Sequence, residues 1–296
     1  MKPPEVWTID EFCEVPFDFP PFLMGNIIPQ GGIGIFHGKR SHGKTQLAFT
    51  LAVSIINGAP FLGRYDCPFG RVTYVGLDMP VQEVQDRCQR LLPRLAYPER
   101  FQIVASMDPI NLPEMFFKNK QPDWVSDITN FEPDLIIVDT LRKAHFLDEN
   151  LNSTPGFVYA ASRGLFGTHS TVLFLHHDRK TNESTRGAPQ EERVAGAGAW
   201  VDNSDFAIHV GKRRERVTVS FPRVRFCQDQ PSIQCEFEPD TLLIRVKEET
   251  KTAYDRAVEI KGNFGDLTKS QLVAKLEDMG VSQTRAYEAA AKVLEN

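Results

Sequence analysis

Residues 38–45 carry the clearest chemical signal in this chain, because they read Gly-Lys-Arg-Ser-His-Gly-Lys-Thr and fit the pattern G-x-x-x-x-G-K-[ST] without a gap. In such a loop, Gly38 and Gly43 let the backbone turn tightly and approach phosphate oxygens. The amides expected to point at the anion are those of Ser41, His42, Gly43 and Lys44. The loop therefore predicts a binding site for a nucleoside triphosphate, with an exposed glycine-rich turn as the alternative.

Two side chains of the loop have predicted roles of their own. Lys44 is expected to reach the terminal phosphates as a point charge, and Thr45 to ligate a magnesium ion. Gln46 follows them in the sequence and is assigned to the same phosphate site.

The flanking residues predict the elements that hold the loop. Residues 33–37 read as a short buried strand that enters it, and residues 45–57 read as the helix that leaves it. This helix ends at Gly58, and its predicted apolar face consists of Leu47, Leu51, Ala52 and Ile55.

Composition narrows the class of protein. The 296 residues allow one large domain and a small one, and the formal net charge of −5 argues against a general coat of polyanion while leaving a local basic channel open. Five scattered cysteines, never spaced C-x-x-C, indicate a reducing, cytoplasmic compartment and offer no zinc site. The acidic N-terminus is not that of a signal peptide, and no apolar run reaches membrane-spanning length.

Segments with strand and helix character alternate along the first two thirds of the chain. Further strands are predicted at 71–77, 101–104, 135–138 and 171–175, and further helices at 80–92, 122–131 and 155–166. The expected fold class is α/β, a mostly parallel RecA-like sheet flanked by helices. Trp124, Ile128 and Phe131 form the predicted apolar face of the second of these helices, and residues 1–32 are expected to be irregular and to wrap the sheet edge.

The pattern changes after Asp205. Residues 206–210, 216–221, 232–237 and 242–246 read as antiparallel strands, followed by a polar hinge at 248–252. Residues 253–296 read as a small helical domain, separate from a core at 1–248. Its predicted apolar stripe is Leu272, Val273, Leu276 and Met279, with a turn at Gly280.

Two carboxylates follow predicted buried strands. Asp139 is expected to hold the magnesium ion, the alternative being a cap for the turn that starts at Thr140. Asp78 is expected to orient and deprotonate an attacking water, the alternative being an N-cap for the helix that Pro80 opens.

Basic residues supply the remaining candidates. His177, after His176 at the end of a strand, is expected to sense the γ-phosphate; metal binding and a structural role are the alternatives. Loops 141–154 and 178–195 would line the pore of a ring and contact nucleic acid, or else be solvated. Arg223 and Arg225 point the same way on an extended segment and could reach a neighbouring triphosphate, or form a surface ion pair of little energy.

These segments together resemble the RecA-fold ATPases of the plasmid RepA helicase type, also called the AAA-25 or RepA-like group, with DnaB-type helicase cores as more distant relatives. The resemblance rests on residues 26–35, 38–45, 59–64, 175–180, 196–205 and 223–226 and covers about residues 20–247. It implies a homohexameric ring that hydrolyses ATP with Mg²⁺ between subunits and moves along single-stranded DNA.

By position, the resemblance makes Lys44 and Thr45 the ligands of phosphate and magnesium, and Asp139 the Walker B carboxylate. His177 matches the sensor, and Arg225, alone or with Arg223, matches the arginine finger. Two departures stand out: Asp78 replaces the usual Glu, and Arg223 replaces the usual Lys. The C-terminal helical segment is not required by the family.

The sequence therefore predicts a ring-forming DNA helicase or translocase of the replicative type, from a mobile element. The alternative is a nucleotide-switched DNA-binding mediator, loader or regulator that does not unwind DNA. Residues 253–296 are either a helix-turn-helix that reads duplex DNA or a helical element that docks subunits.

Overall fold

The computed structural model describes residues 6–16, 21–178, 198–238, 240–247, 253–265 and 267–295. They divide into two units, residues 1–246 and residues 247–296, which are taken separately below.

Strands dominate the larger unit. The strands are β1 (Phe22–Met24), β2 (Ile28–Pro29), β3 (Ile33–Gly38), β4 (Val72–Gly76), β5 (Phe101–Ala105), β6 (Leu135–Asp139), β7 (Thr171–His177), β8 (Phe206–Arg213), β9 (Arg216–Val224), β10 (Ile233–Phe237) and β11 (Ile244–Val246). The helices are α1 (Ile9–Glu14), α2 (Lys44–Asn57), α3 (Val81–Leu91), α4 (Leu112–Phe117), α5 (Asp123–Phe131), α6 (Thr154–Phe166) and α7 (Ala199–Asp202).

Within the described residues, nine strands form one sheet in the order β11-β10-β9-β8-β3-β7-β6-β4-β5. The strands from β8 to β5 in this order run parallel, and β9, β10 and β11 continue the sheet antiparallel. The expected mostly parallel α/β fold is confirmed. One detail of the prediction is wrong: β8 is parallel to β3 and antiparallel only to β9, because it enters the sheet beside β3 before the chain reverses at the β8–β9 hairpin.

The parallel strands are buried on both faces, as their continuous apolar runs require. In β6, Leu135 and Ile137 pack in the cluster that contains α2, whereas Ile136 and Val138 pack in the cluster that contains α6. This alternation places helices on both sides of the sheet and leaves the carboxyl ends of the strands at one edge.

Two short helices were not predicted, and residues 1–32 are more regular than expected. Helix α1 begins with a capping box in which the Thr8 side chain accepts from the Glu11 amide and the Glu11 carboxylate accepts from the Thr8 amide. Helix α4 follows Asn111, whose side chain caps it. Helix α5 buries Val125 and Ile128, so the predicted face with Trp124 and Phe131 is wrong by part of a turn.

The smaller unit contains α8 (Ala253–Phe264), α9 (Lys269–Asp278) and α10 (Gln283–Glu295). Leu272 and Leu276 of α9 are buried in its core, as their spacing predicts. Met279 is 49 % exposed, contrary to the predicted stripe, because α9 ends at the preceding residue. None of the helices in the described part of the chain is both long and apolar enough to span a bilayer.

The contact between β3 and β8 has no room for a side chain at Gly34, where a Cβ atom would overlap the buried ring of Phe206. We expect Gly34→Ala to lower the free energy of unfolding by about 2 kcal/mol through overpacking. Gly211→Ala in β8 is the matched control, since a Cβ there would meet its nearest neighbour at 3.4 Å, and it should change stability by less than about 0.5 kcal/mol. Chemical denaturation of both variants measures the difference, and equal stabilities would contradict the packing argument.

Candidate functional site

The loop at 38–45 lies at the sheet edge where the parallel strands end. It connects β3 to α2, and the residues after β4, at the end of β6 and at the end of β7 face it across a cleft of about 650 Å³. The predicted site residues in its lining are Ser41, Gly43, Lys44, Thr45, Gln46, Asp78, Asp139 and His177. The topology thus brings together side chains that are far apart in the sequence.

The loop needs glycine at two points. Gly43, at φ 100°, has a left-handed conformation, and a Cβ there would lie 2.7 Å from the Phe237 ring. A Cβ at Gly38 would overlap the carbonyl oxygen of Val210. The loop backbone is therefore pressed against β8 and β10 and turns its amide groups toward the cleft.

Lys44 is the cation at the centre of this loop and is 6 % exposed. Its Nζ donates to the carbonyl oxygens of Gly38 at 2.9 Å and Lys39 at 3.1 Å, and lies 3.1 Å from Nδ1 of His177. Burial lowers the pKa of Lys44 to about 8, against the opposing effect of nearby carboxylates. An anion in the cleft would restore the solvation that this ammonium group has lost.

Asp139 joins the loop to the middle of the sheet. Its Oδ2 accepts hydrogen bonds from the Thr45 hydroxyl at 2.7 Å and the Tyr74 hydroxyl at 2.9 Å. Burial raises the pKa of Asp139, and the two hydrogen bonds oppose the rise. The predicted alternative, a cap for the turn after Thr140, does not hold, because the short helix at Leu141–Lys143 has no side-chain cap.

The donor set around Asp139 fits a divalent cation. A hydroxyl oxygen and a carboxylate oxygen, side by side at the cleft, are hard ligands of the kind Mg²⁺ takes together with substrate phosphates. A cation there would also favour the ionised form of the buried carboxylate.

Asp78 and His177 face each other across the cleft, with Oδ2 and Nε2 4.0 Å apart. Burial and the Lys44 charge lower the pKa of His177 to about 4, so its ring is neutral at pH 7. Because Nδ1 meets the Lys44 ammonium, we assign the ring proton to Nε2, toward Asp78. Asp78 does not cap α3, whose N-cap is Pro80 and has no side-chain cap bond.

Beneath the loop, a buried group that sequence reasoning missed connects three strands. Asp178 accepts from Nδ1 of His37 at 2.9 Å and Nε2 of His209 at 3.3 Å, and its amide donates to the Gly38 carbonyl. Burial works against ionisation of Asp178, but the hydrogen bonds and charges of His209 and His37 outweigh it and lower the pKa of the carboxyl below its usual range.

His42 has a different contact from the one predicted for its side chain. Its ring Nδ1 accepts the amide of Lys212 at 3.1 Å, so the imidazole fastens the loop to β8. Tyr74, Lys212 and Phe237 line or support the cleft and were not singled out. Lys212 was noted only in a basic hairpin run, and no local pattern marks Phe237, which the β9–β10 pairing brings in.

Arg223 and Arg225 lie away from this cleft. Arg223 pairs in register with Ala207, next to Phe206, which pairs with Gly34 near the start of β3, whereas the loop follows the end of β3. Arg223 donates to the Ser204 carbonyl, and the Arg225 guanidinium lies 3.6 Å from the Asp205 carboxylate. Neither arginine can serve the cleft of its own chain.

The two predicted nucleic-acid loops fare differently. Except for Asp178, the loop at 178–195 lies outside the described residues, as does the hinge at 248–252. The loop at 141–154 is described, and its His145 is 3 % exposed and stacks on Trp200 at 5.4 Å, so that histidine does not face solvent.

Comparison with known proteins places this geometry in a family. The profile of AAA_25, described as an AAA domain, matches residues 2–183. The solved ATPase domain of a DnaB-like helicase aligns at 12 % identity over 74 % of this chain and 86 % of that chain, with a TM-score of 0.53. Flagellar accessory protein FlaH from Methanocaldococcus jannaschii aligns at 15 % identity over 75 % and 92 % of the two chains, with a TM-score of 0.47. The larger unit has the RecA-like P-loop ATPase fold.

The buried Asp178 carboxylate leads to a prediction about stability and pH. Asp178→Asn leaves two histidines facing an uncharged amide, and we expect it to lower the free energy of unfolding at pH 7 by about 3 kcal/mol. The folded pKa of Asp178 lies below its unfolded value of about 3.9, so its contribution is present above that pH and is lost as the pH falls toward the folded pKa.

Denaturation of the wild type and Asp178→Asn between pH 3 and pH 7 tests this prediction. The difference in unfolding free energy should shrink below about pH 4. Asp127→Asn, at an exposed position of α5, serves as control and should change stability by less than about 0.5 kcal/mol at all pH values. A difference for Asp178→Asn that does not vary with pH would contradict the assignment.

Proposed function

Because the chain belongs to the AAA_25 family, whose profile matches residues 2–183, we propose that it is an ATP-hydrolysing motor acting on DNA. We further propose that it assembles as a hexameric ring and moves along single-stranded DNA, as a replicative-type helicase or translocase of a mobile element. The observation that carries the proposal is the meeting of Lys44, Thr45, Asp139 and His177 in one cleft at the carboxyl edge of a parallel sheet.

The cleft accounts for the binding of a nucleoside triphosphate. The phosphates would lie in the loop, with Lys44 exchanging the carbonyl oxygens of Gly38 and Lys39 for phosphate oxygens. Thr45 and Asp139 would hold Mg²⁺, which when bound stabilises the charge that develops on the β- and γ-phosphate oxygens.

The proposed reaction is attack of water on the γ-phosphorus. A P–O bond forms to the water oxygen, the bond from the γ-phosphorus to the β–γ bridging oxygen breaks, and the electron pair leaves with ADP. Asp78 orients the water and accepts its proton, since its carboxylate faces the cleft and is not occupied in capping α3. His177, neutral and placed between Lys44 and Asp78, is positioned to respond to loss of the γ-phosphate.

The arginines at the end of β9 fit a role at a neighbouring subunit. They lie near the start of β3, whereas the loop follows its end, so their own cleft is out of reach. In a ring, Arg225 with Arg223 would approach the triphosphate of the next subunit and stabilise charge in the transition state. The Asp205 carboxylate holds Arg225 in the unassembled chain and would have to release it.

A second candidate is a nucleotide-switched mediator, loader or regulator that binds DNA without unwinding it. Asp78 favours this candidate, because its side chain is one methylene shorter than the Glu of the resembling family and would hold the water farther from the γ-phosphorus. The cleft is the same in both candidates, and they differ in what hydrolysis does.

Turnover and strand displacement, measured together, distinguish the two candidates. We expect ATP hydrolysis that requires Mg²⁺ and rises several-fold with single-stranded DNA, and ATP-dependent unwinding of a forked duplex. Lys44→Ala should abolish hydrolysis, because it removes the cation on the terminal phosphates. DNA-stimulated hydrolysis without unwinding would favour the mediator, and turnover unaffected by Lys44→Ala would overturn the nucleotide site.

The finger in trans has its own test. Arg225→Ala should reduce hydrolysis by about 10³-fold or more while ATP binding is retained. Mixing Arg225→Ala with Lys44→Ala should partly restore activity, because a mixed ring contains interfaces with an intact finger and an intact loop. Arg163→Ala is a matched control, since Arg163 also pairs with Asp205 but lies on α6. Full activity of Arg225→Ala, or of a purely monomeric protein, would contradict the proposal.

A further inference from the structure

The smaller unit contains a helix pair whose connection is short and specific. Helix α9 ends at Asp278 and α10 begins at Gln283, so four residues join them. Gly280, at φ +78°, makes the turn in the left-handed region. Two helices joined by a turn of three or four residues that contains glycine are the pattern of the helix-turn-helix.

The core of the unit fixes how these helices meet. The buried face of α10 is made of small residues, Ala286, Ala289 and Ala290, which let it approach α8 and α9 closely. Leu272 and Leu276 of α9 fill the same core, and Val281 of the turn packs against it. Helix α8 braces the pair, since Arg256 donates to the Met279 carbonyl at 2.9 Å and Lys261 to the Val293 carbonyl at 2.8 Å.

The opposite side of α10 presents hydrogen-bonding groups to solvent at its first turns. Gln283, Thr284, Arg285, Tyr287 and Glu288 are all exposed. Glutamine and arginine are the side chains that read adenine and guanine edges in the major groove, and a carboxylate can accept from cytosine. The first turns of the second helix are where a helix-turn-helix contacts bases.

The start of α9 adjoins the same face. The Lys269 ammonium lies 3.8 Å from the centre of the Tyr287 ring, which places the beginning of α9 against the first turns of α10. Neither helix has an acidic residue in its first turn, and the acids of α9 are Glu277 and Asp278 at its far end. Two helix N-termini, Lys269 and Arg285 therefore make this face favourable for phosphate.

We propose that the smaller unit is a duplex-DNA reader, with α10 entering the major groove and the start of α9 contacting the backbone. This site is separate from the nucleotide cleft and from any single-strand path through a ring. It would direct the chain to particular duplex sequences, whatever the ATPase core then does. A protein-docking surface is the competing occupant; in the described part of the unit, the exposed apolar side chains Tyr254 and Val258 of α8 would suit it better than the polar start of α10.

The test uses the full chain carrying Lys44→Ala, without nucleotide and with excess unlabelled single-stranded poly-dT, so that the ATPase core contributes little. The probe is a pool of 30-base-pair duplexes of random central sequence, followed by rounds of selection and fluorescence anisotropy on the enriched duplex. We expect enrichment of a short defined sequence and an affinity that falls steeply with salt.

Arg285→Ala should weaken binding to the enriched duplex about tenfold or more and relax selection at one base pair, and Gln283→Ala should do so at another. Lys292→Ala, a cation in the last turn of the same helix, is the matched control and should change affinity by less than about twofold. All three positions are exposed, so folding is retained, and circular dichroism checks it.

Absence of enrichment, or an affinity unchanged by Arg285→Ala and Gln283→Ala, would overturn the proposal. Variants that keep duplex affinity but lower the mass of the assembled protein would assign this face to subunit docking and would overturn it as well. Because the core carries Lys44→Ala throughout, failure of the proposed ATPase function would leave the duplex measurement intact.

Discussion

The hydrogen bond from the Thr45 hydroxyl to the Asp139 carboxylate, 2.7 Å long, is the contact on which the site depends. It joins the first turn of α2 to the end of β6, near the middle of the parallel sheet. Both ends are held by burial, since β6 is buried along its whole length and α2 packs its apolar face on the sheet. The loop between β3 and α2 is therefore fixed at both ends before any ligand arrives, which lowers the entropy lost when a phosphate binds.

Charge in the cleft is arranged so that the empty site is electrostatically incomplete. Burial lowers the pKa of Lys44 and raises that of Asp139, so each group is desolvated without a full partner. A triphosphate beside the lysine and a divalent cation beside the carboxylate would each restore the charged form. By contrast, Asp178 already has two histidine donors, and its lowered pKa marks a structural carboxylate.

Sequence reasoning reached the parts of the molecule that are encoded locally. The loop motif, the apolar run that becomes β6 and the acid at its end are contiguous in the chain, and the structure places them in one cleft. The His37–Asp178–His209 group and the Phe237 contact were missed, because each depends on strands paired across 30 to 200 residues. The parallel direction of β8 was also missed, since periodicity reports burial and not the direction of a neighbouring strand. Helix α1 was missed although its Thr8–Glu11 capping box is local.

The end of β7 offers a route from the phosphates to the rest of the sheet. Successive residues of a strand point to opposite sides, and here His177 meets Lys44 while Asp178 meets His37 and His209. A shift of His177 when the γ-phosphate leaves would displace Asp178, whose buried hydrogen bonds resist independent movement. The displacement would then pass into β8, because His209 belongs to that strand and β8 carries β9 with it through the longest antiparallel pairing in the described sheet. Arg223 and Arg225 lie at the far end of that pairing, so the proposed finger for one subunit would move with the phosphate sensor of its own chain.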